Sequence, residues 1–182
     1  DHADVREDAL GYMVENRHLR HAVLTTVTDA PAVMYLAPEE IDALEQSETA
    51  VIARLKGGDH ITAPLIIGAD GRNSFVRDHA GLELTQWPYH QSGIVCTVAH
   101  EKPHHNIAHE HFYPAGPFAI LPLTGNRASI VWTESEVDAA DIVALPDDDF
   151  IWELTQRAGD FMGALEVVGP RWSYPLSLQY TK

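Results

Sequence analysis

Between Gly93 and Glu134 the chain alternates between apolar, β-forming runs and turns. The runs are Gly93–His100, Ile107–Phe112, Phe118–Leu123 and Ala128–Glu134. Lys102-Pro103, Pro114-Ala115-Gly116-Pro117 and Gly125-Asn126 separate them. This texture predicts an antiparallel meander. Pro146 and Asp147 then open a helix from about Asp148 to Ala158, with acids at the end the helix dipole favours. Arg171 to Tyr180 reads as a final strand.

Before Gly81 the pattern is mixed. Asn16 caps a predicted helix to about Thr25, with Leu19, Ala22, Val23 and Thr26 at helical spacing. Arg17, His18, Arg20 and His21 fill its other face. Val33–Leu36 reads as a short strand ended by Pro38, and Ile41–Gln46 as a helical turn or loop. Thr49–Leu55, the turn Lys56-Gly57-Gly58-Asp59 and His60–Ala63 predict a hairpin. Leu65–Ala69 predicts an apolar strand buried on both faces. Ser74–His79 predicts a helix ending at Gly81. The expected class is α+β, with one boundary near Gly81 separating residues 1–80 from 81–182.

Composition removes several function classes. The 182 residues carry 12 basic against 27 acidic side chains, a net charge of −15. Such a chain repels phosphate backbones and gains nothing from anionic lipid, so nucleic acid is not expected as a partner. No run of about 18 apolar residues is present to span a membrane. The polar, acidic stretch Asp1 to Asp8 does not read as a signal peptide. Cys96 is the only cysteine, which excludes an intrachain disulfide and fits a reducing compartment. A cytoplasmic location is expected.

The segment Ile66-Ile67-Gly68-Ala69-Asp70-Gly71-Arg72-Asn73-Ser74-Phe75-Val76-Arg77 carries the most chemistry. An apolar run stops at an acid, a glycine makes the bend, and a helix begins within a few residues. Asp70 can accept hydrogen bonds from ribose or ribityl hydroxyls. Gly71 lets backbone approach a ligand closely. The free N–H groups near Asn73 and Ser74 suit a phosphate, and Arg77 adds a fixed positive charge. A plain strand–turn–helix in which Asp70 merely caps is the alternative reading of the same residues.

Four segments, in order, resemble the class A flavoprotein monooxygenases, the p-hydroxybenzoate hydroxylase fold, and within them the ubiquinone-biosynthesis flavin hydroxylases. They are Gly11–Arg20, Gly68–Arg77, Phe112–Leu123 and Trp172–Leu176. The resemblance implies a substrate lobe with an antiparallel or mixed sheet and helices over residues 81–182. It implies the central part of an α/β FAD-binding lobe over residues 1–80. By the same resemblance Arg17 approaches the FAD phosphates, and Asp70, Gly71 and Ser74 sit near the cofactor's sugar and phosphate. Arg72 or Arg77 would meet NAD(P)H. Phe118, Ile120, Leu121 and Pro122 would roof the substrate, with Val95, Phe112 and Trp132 as further apolar candidates. The implied reaction inserts one oxygen atom from O2 into a small-molecule phenol, polyprenylated in ubiquinone biosynthesis, using FAD and NAD(P)H. Peripheral association with the inner membrane belongs to the same expectation.

The family also carries a G-x-G-x-x-G loop and a Gly-Asp motif followed by Ala-Ala-His, and none of the 12 glycines here gives the first spacing. The chain is therefore expected to be an internal fragment that binds FAD weakly or not at all. Its cut sheet edges are expected to pair into a homodimer.

Other signals are weaker. His109-Glu110-His111 on a strand would point both imidazoles to one side, as a metal pair requires, but solvated histidines are the commoner outcome. Asp147-Asp148-Asp149 fits dipole-favoured capping rather than cation binding. The four tryptophans are scattered like core or interface anchors. Cys96 has no cationic neighbour in sequence to make it a nucleophile. A β-rich binding module without catalysis, and a His-rich metal protein using His109 and His111, stand as alternatives.

Overall fold

A computed structural model describes Asp8 and residues 11–181; the rest of the acidic opening stretch lies outside the described residues. The fold is α+β. The chain divides into two compact units. One comprises the residues up to Leu19 with Gln86–Leu178, and the other Arg20–Thr85 with the residues from Gln179 on. The expected single boundary near Gly81 is corrected accordingly. The division falls five residues later, and the stretch leading into the first helix joins the β-rich unit. That helix, α1 (Asn16–Asp29), runs four residues beyond its expected end at Thr25 and has no buried side chain.

The β-rich unit is organised around a five-stranded sheet. Its strands are β4 (Leu84–His100), β5 (His109–Tyr113), β6 (Gly116–Leu123), β7 (Arg127–Ser135) and β8 (Leu165–Thr181). The spatial order is β5-β6-β7-β4-β8. Strands β5, β6 and β7 form the expected meander through two tight turns. Strand β4 departs from it: it pairs with β7, from Gln91↔Ser135 to Ala99↔Arg127, and so enters the sheet on the far side from β5. Gly116 makes the first turn possible. Its φ is 140°, and a Cβ there would lie 2.6 Å from Thr133 Cγ2.

Alternation along these strands sorts side chains onto two faces. Ile94, Cys96 and Val98 of β4, Phe118 and Ile120 of β6, and Ala128, Ile130 and Trp132 of β7 face a dry core. Helices α3 (Glu136–Ala144) and α4 (Asp147–Ala158) contribute Ala139, Phe150, Leu154 and Ala158 to the same core. Phe150, Leu154 and Ala158 recur every four residues, which puts them on one helical stripe. Three acids open α4 and Arg157 lies in its last turn, as its dipole favours. Helix α3 is absent from the sequence expectation, although Ser135-Glu136-Val137-Asp138 is a capping pattern. Ser135 Oγ accepts from the Asp138 N–H at 3.1 Å.

The second unit holds a three-stranded antiparallel sheet, β1 (Ile41–Gln46), β2 (Val51–Leu55) and β3 (His60–Ala63), and the short α2 (Phe75–His79). The β2–β3 hairpin is as expected. The reading of Ile41–Gln46 as helical turn or loop is corrected: Ala, Leu, Glu and Gln favour helix, but pairing with β2 buries Leu44 opposite Ala53 and overrides that preference. Two expected strands do not form. Val33–Leu36 and Leu65–Ala69 have no pairing strand among the described residues, and Met34, Leu65 and Ile67 are 83%, 70% and 79% exposed. An apolar run becomes a strand only when a neighbour satisfies its backbone.

The core assignment yields an expected contrast. Phe150→Ala should lower unfolding free energy by about 3–5 kcal/mol in urea titrations followed by circular dichroism. Phe112→Ala, at a position 81% exposed, should change it by less than about 0.5 kcal/mol.

Candidate functional site

The Asp70–Arg77 turn is built as a helix entry. Ser74 is the N-cap of α2, and its Oγ accepts from the Arg77 N–H at 3.0 Å. The same hydroxyl donates to Asp70 Oδ1, while Asp70 Oδ2 accepts from the Val76 N–H at 3.1 Å. The hydrogen bond from Ser74 is the main reason the Asp70 carboxyl lies below the ordinary aspartate range, with the Val76 N–H second and desolvation opposing. Gly71, at φ 85°, turns the chain, and nothing lies within 4 Å of where its Cβ would be. Arg77 is committed locally: Nη1 donates to the Arg72 carbonyl at 2.8 Å, and Nε and Nη2 donate to Asp78 at 3.0 and 2.8 Å. Its side chain is only 15% exposed. Asp70, Gly71, Arg72, Ser74 and Arg77 are thus brought together, as a capped turn whose Asp70 and Gly71 are exposed and whose Ser74 is buried.

The β-rich unit carries a separate feature. The sheet face away from α4 holds a cavity of about 720 Å³. Its floor includes Thr97 and Ser129, which are paired neighbours on β4 and β7. Leu123, Val168 and Trp172 form apolar wall, and Met13 to Glu15 with Asn16 and Arg17 at the start of α1 close another side. Glu15 is the electrostatic centre. Its carboxylate accepts from Arg17 Nη2 at 2.6 Å and Nε at 2.9 Å, and from Arg127 Nη1 at 3.3 Å. His18 Nε2 lies 3.4 Å away. The Arg17 hydrogen bond comes first among the causes that hold Glu15 below the usual carboxylate range; desolvation opposes it, and the charges of Arg17, Arg127 and His18 add to it.

The expected substrate contacts divide between the two sheet faces. Phe118 and Ile120 are 0% and 1% exposed, packed in the core with Trp132 and Phe150, so neither reaches a ligand; that expectation is corrected. Pro122 follows their side of β6. Leu121, paired with Ser129, shares the cavity face with Leu123. Trp132 is likewise core, Phe112 is exposed and Val95 lies on the cavity side of β4. Arg17 lines the cavity. Glu15, Thr97, Arg127, Ser129 and Trp172 escaped sequence reasoning. Strand alternation could have found the polar pair Thr97 and Ser129 between buried neighbours; the Glu15–Arg127 contact spans 112 residues and left no local signal.

His109 and His111 do share a side of β5. His109 packs on Phe161 with ring centroids 4.6 Å apart, and burial, then the charge of His111, lowers its pKa. Among the described residues no group of three or more His, Cys, Asp or Glu could hold a metal ion. Of the tryptophans, Trp132 alone is core; Trp87, Trp152 and Trp172 are 53%, 60% and 54% exposed. Cys96 is buried, and desolvation pushes its thiol up to about 12.

Comparison with solved structures shows that this is the fold of flavin-dependent monooxygenases. The monooxygenase PieE, solved with FAD and substrate, superposes with a TM-score of 0.70 over 92% of this chain and 31% of its own, at 15% identity. Residues 16–162 match the FAD binding domain family, and the chain belongs to it. It is 49% identical over 170 residues to ubiquinone hydroxylase UbiL of Rhodospirillum rubrum, covering 93% of this chain and 40% of that protein. It is 40% identical over 135 residues to 3-demethoxyubiquinol 3-hydroxylase of Escherichia coli, covering 74% and 34%. The chain thus spans about two-fifths or less of the length of these relatives.

Two outcomes check this geometry. By carboxyl-detected NMR, Asp70 should titrate below the 3.8 of an unperturbed aspartate, and Ser74→Ala should move the midpoint upward. Because the folded value is the lower one, the carboxylate's contribution to the turn is present at neutral pH and lost as pH falls through that midpoint. Cys96 should resist iodoacetamide at mildly alkaline pH in the native chain and react once urea unfolds it.

Proposed function

We propose that this chain is the substrate-sheet and Asp-Gly portion of an FAD-dependent hydroxylase that inserts one oxygen atom from O2 into a phenol of ubiquinone biosynthesis. Family membership and the relatives named for ubiquinone hydroxylation support the reading. The observation that carries it is the cavity on the open sheet face, with apolar wall from Leu123, Val168 and Trp172 and hydroxyls from Thr97 and Ser129. Such a surface suits a ring bearing one polar oxygen, with room for a greasy substituent.

The residues present fit part of a flavin site. Each Asp70 oxygen keeps a lone pair beyond the bond it accepts inside the turn, so sugar or ribityl hydroxyls can still donate to it. Gly71 leaves backbone open to close approach. Arg72 belongs to the same turn, and Ser74 supports it from beneath by holding the Asp70 carboxylate. Arg77 fixes the turn through the Arg72 carbonyl, and its proposed contact with NAD(P)H requires it to leave Asp78. Arg17's proposed contact with a cofactor phosphate requires it to give up part of its hold on Glu15. When bound, FAD supplies the oxygen-activating chemistry, with NAD(P)H as the electron source. The protein's part is to orient the ring and exclude water, which requires no catalytic triad.

A small-molecule phenol is the proposed substrate, with pairing between copies and attachment to a membrane surface as further parts of the same reading. No helix among the described residues is long and apolar enough to cross a membrane.

The full-length protein should carry flavin absorbance and oxidise NAD(P)H only when a phenol and O2 are both supplied. Asp70→Ala should weaken FAD binding by about tenfold or more, read from flavin fluorescence, roughly the loss expected for hydrogen bonds to a charged group. A full-length product with no flavin, or flavin with no phenol-dependent oxidation, would overturn the assignment.

A further inference from the structure

The cavity holds more charge than a ring-binding surface needs. Arg17 reaches it from the first turn of α1, and Arg127 from the first residue of β7. Glu15 stands between them, and its side chain is 19% exposed against 65% for Arg17 and 29% for Arg127. The carboxylate is shared unequally. Arg17 holds it by the short contacts, whereas Arg127 touches it at 3.3 Å and steadies itself through Nε on the Thr124 carbonyl at 3.2 Å. Two guanidiniums and one carboxylate leave one positive charge. Without the carboxylate, the polar end of the cavity would present two guanidiniums, the grouping that selects carboxylates and phosphates.

We infer that Glu15 is a positioning residue that sets substrate charge: by bridging Arg17 and Arg127 it makes the cavity take an uncharged phenol in preference to an aromatic acid. The inference rests on the reading of this cavity as the ring site. An incoming carboxylate must compete with Glu15 for Arg127 and meets repulsion from it. A neutral hydroxyl avoids both penalties and pairs with Thr97 or Ser129. Selection of this kind works by opposing the wrong ligand as much as by attracting the right one. Loss of the carboxylate should therefore act as a gain of binding, which a purely structural contact would not produce.

The test uses the full-length protein and two probes sharing one ring, p-cresol and 4-hydroxybenzoate. Binding is followed by amide NMR shifts of Thr97 and Ser129 at mildly alkaline pH, where imidazoles are neutral. The wild-type chain should bind p-cresol more tightly than 4-hydroxybenzoate. Glu15→Gln should improve binding of 4-hydroxybenzoate about fivefold, the scale of one partly screened charge interaction, while p-cresol stays within about twofold. That gain should shrink in high salt. Glu15→Asp should restore the wild-type order. An unchanged preference in Glu15→Gln, or equal weakening of both probes, would overturn the role of Glu15 while leaving the ring site standing. Failure of both probes to move Thr97 or Ser129 in the wild-type chain would overturn the ring site and this inference together.

Discussion

Trp132 is where the β-rich unit is tied together. It is 1% exposed, edge-on to Phe118 and tilted against Phe150, with centroids 5.9 Å away in each case. Its indole N–H cannot be left without a partner in that position, and Glu134 Oε1 accepts it at 2.8 Å. The same oxygen accepts from Arg157 Nη2 at 3.0 Å, and the Arg157 guanidinium lies 4.3 Å over the indole. Arg157 also binds Glu153 at 2.8 Å on its own helix. One aromatic residue thus fixes the register of α4 on β7 through dispersion, a satisfied polar atom and a paired charge. Removing only one partner would leave a mostly buried polar group stranded, so these side chains stand or fall as a set.

With α4 fixed, the two sheet faces acquire different lives. The covered face is filled by Ile94, Val98, Ile120 and Ile130, all at or near zero exposure. The other face keeps half-buried residues such as Val95, Thr97, Ser129 and Val131. Near Thr97 and Ser129 the described residues leave that side to the first turn of α1 and the stretch before it, which border the cavity without filling it. The turn at Asp70 follows a comparable logic on a smaller scale: a carboxylate satisfied from within by Ser74 and Val76 is held in one orientation and still has acceptor capacity for a ligand.

What the sequence revealed follows from how local each determinant is. The meander, the β2–β3 hairpin, α4 and the Ser74-capped helix rest on turn residues, alternation and capping within a few positions. Strand β1 needed β2 to overrule a helical composition. Val33–Leu36 and Leu65–Ala69 had strand-like composition and no partner, a fact no window of residues contains. At the cavity, Arg17 was legible through the segment around it. Glu15 and Trp172 lie in segments that carried the resemblance but were given no role there, and Arg127 left no local signal because its contact with Glu15 joins residues 112 positions apart. Phe118 and Ile120 show the opposite error: the resemblance put them over the substrate, but a sheet has two faces, and only the placement of α3 and α4 decides which one is core.

The segregation of the sheet has a consequence for how such proteins diversify. Substitutions at Thr97, Leu121, Ser129 or Trp172 fall on the side that α4 does not cover, so they can retune what is recognised with little burden on folding. Those at Ile94, Ile130 or Trp132 are constrained by the scaffold before chemistry is consulted. A lineage built on this sheet can therefore vary by drift what one surface binds while its architecture stays frozen on the other.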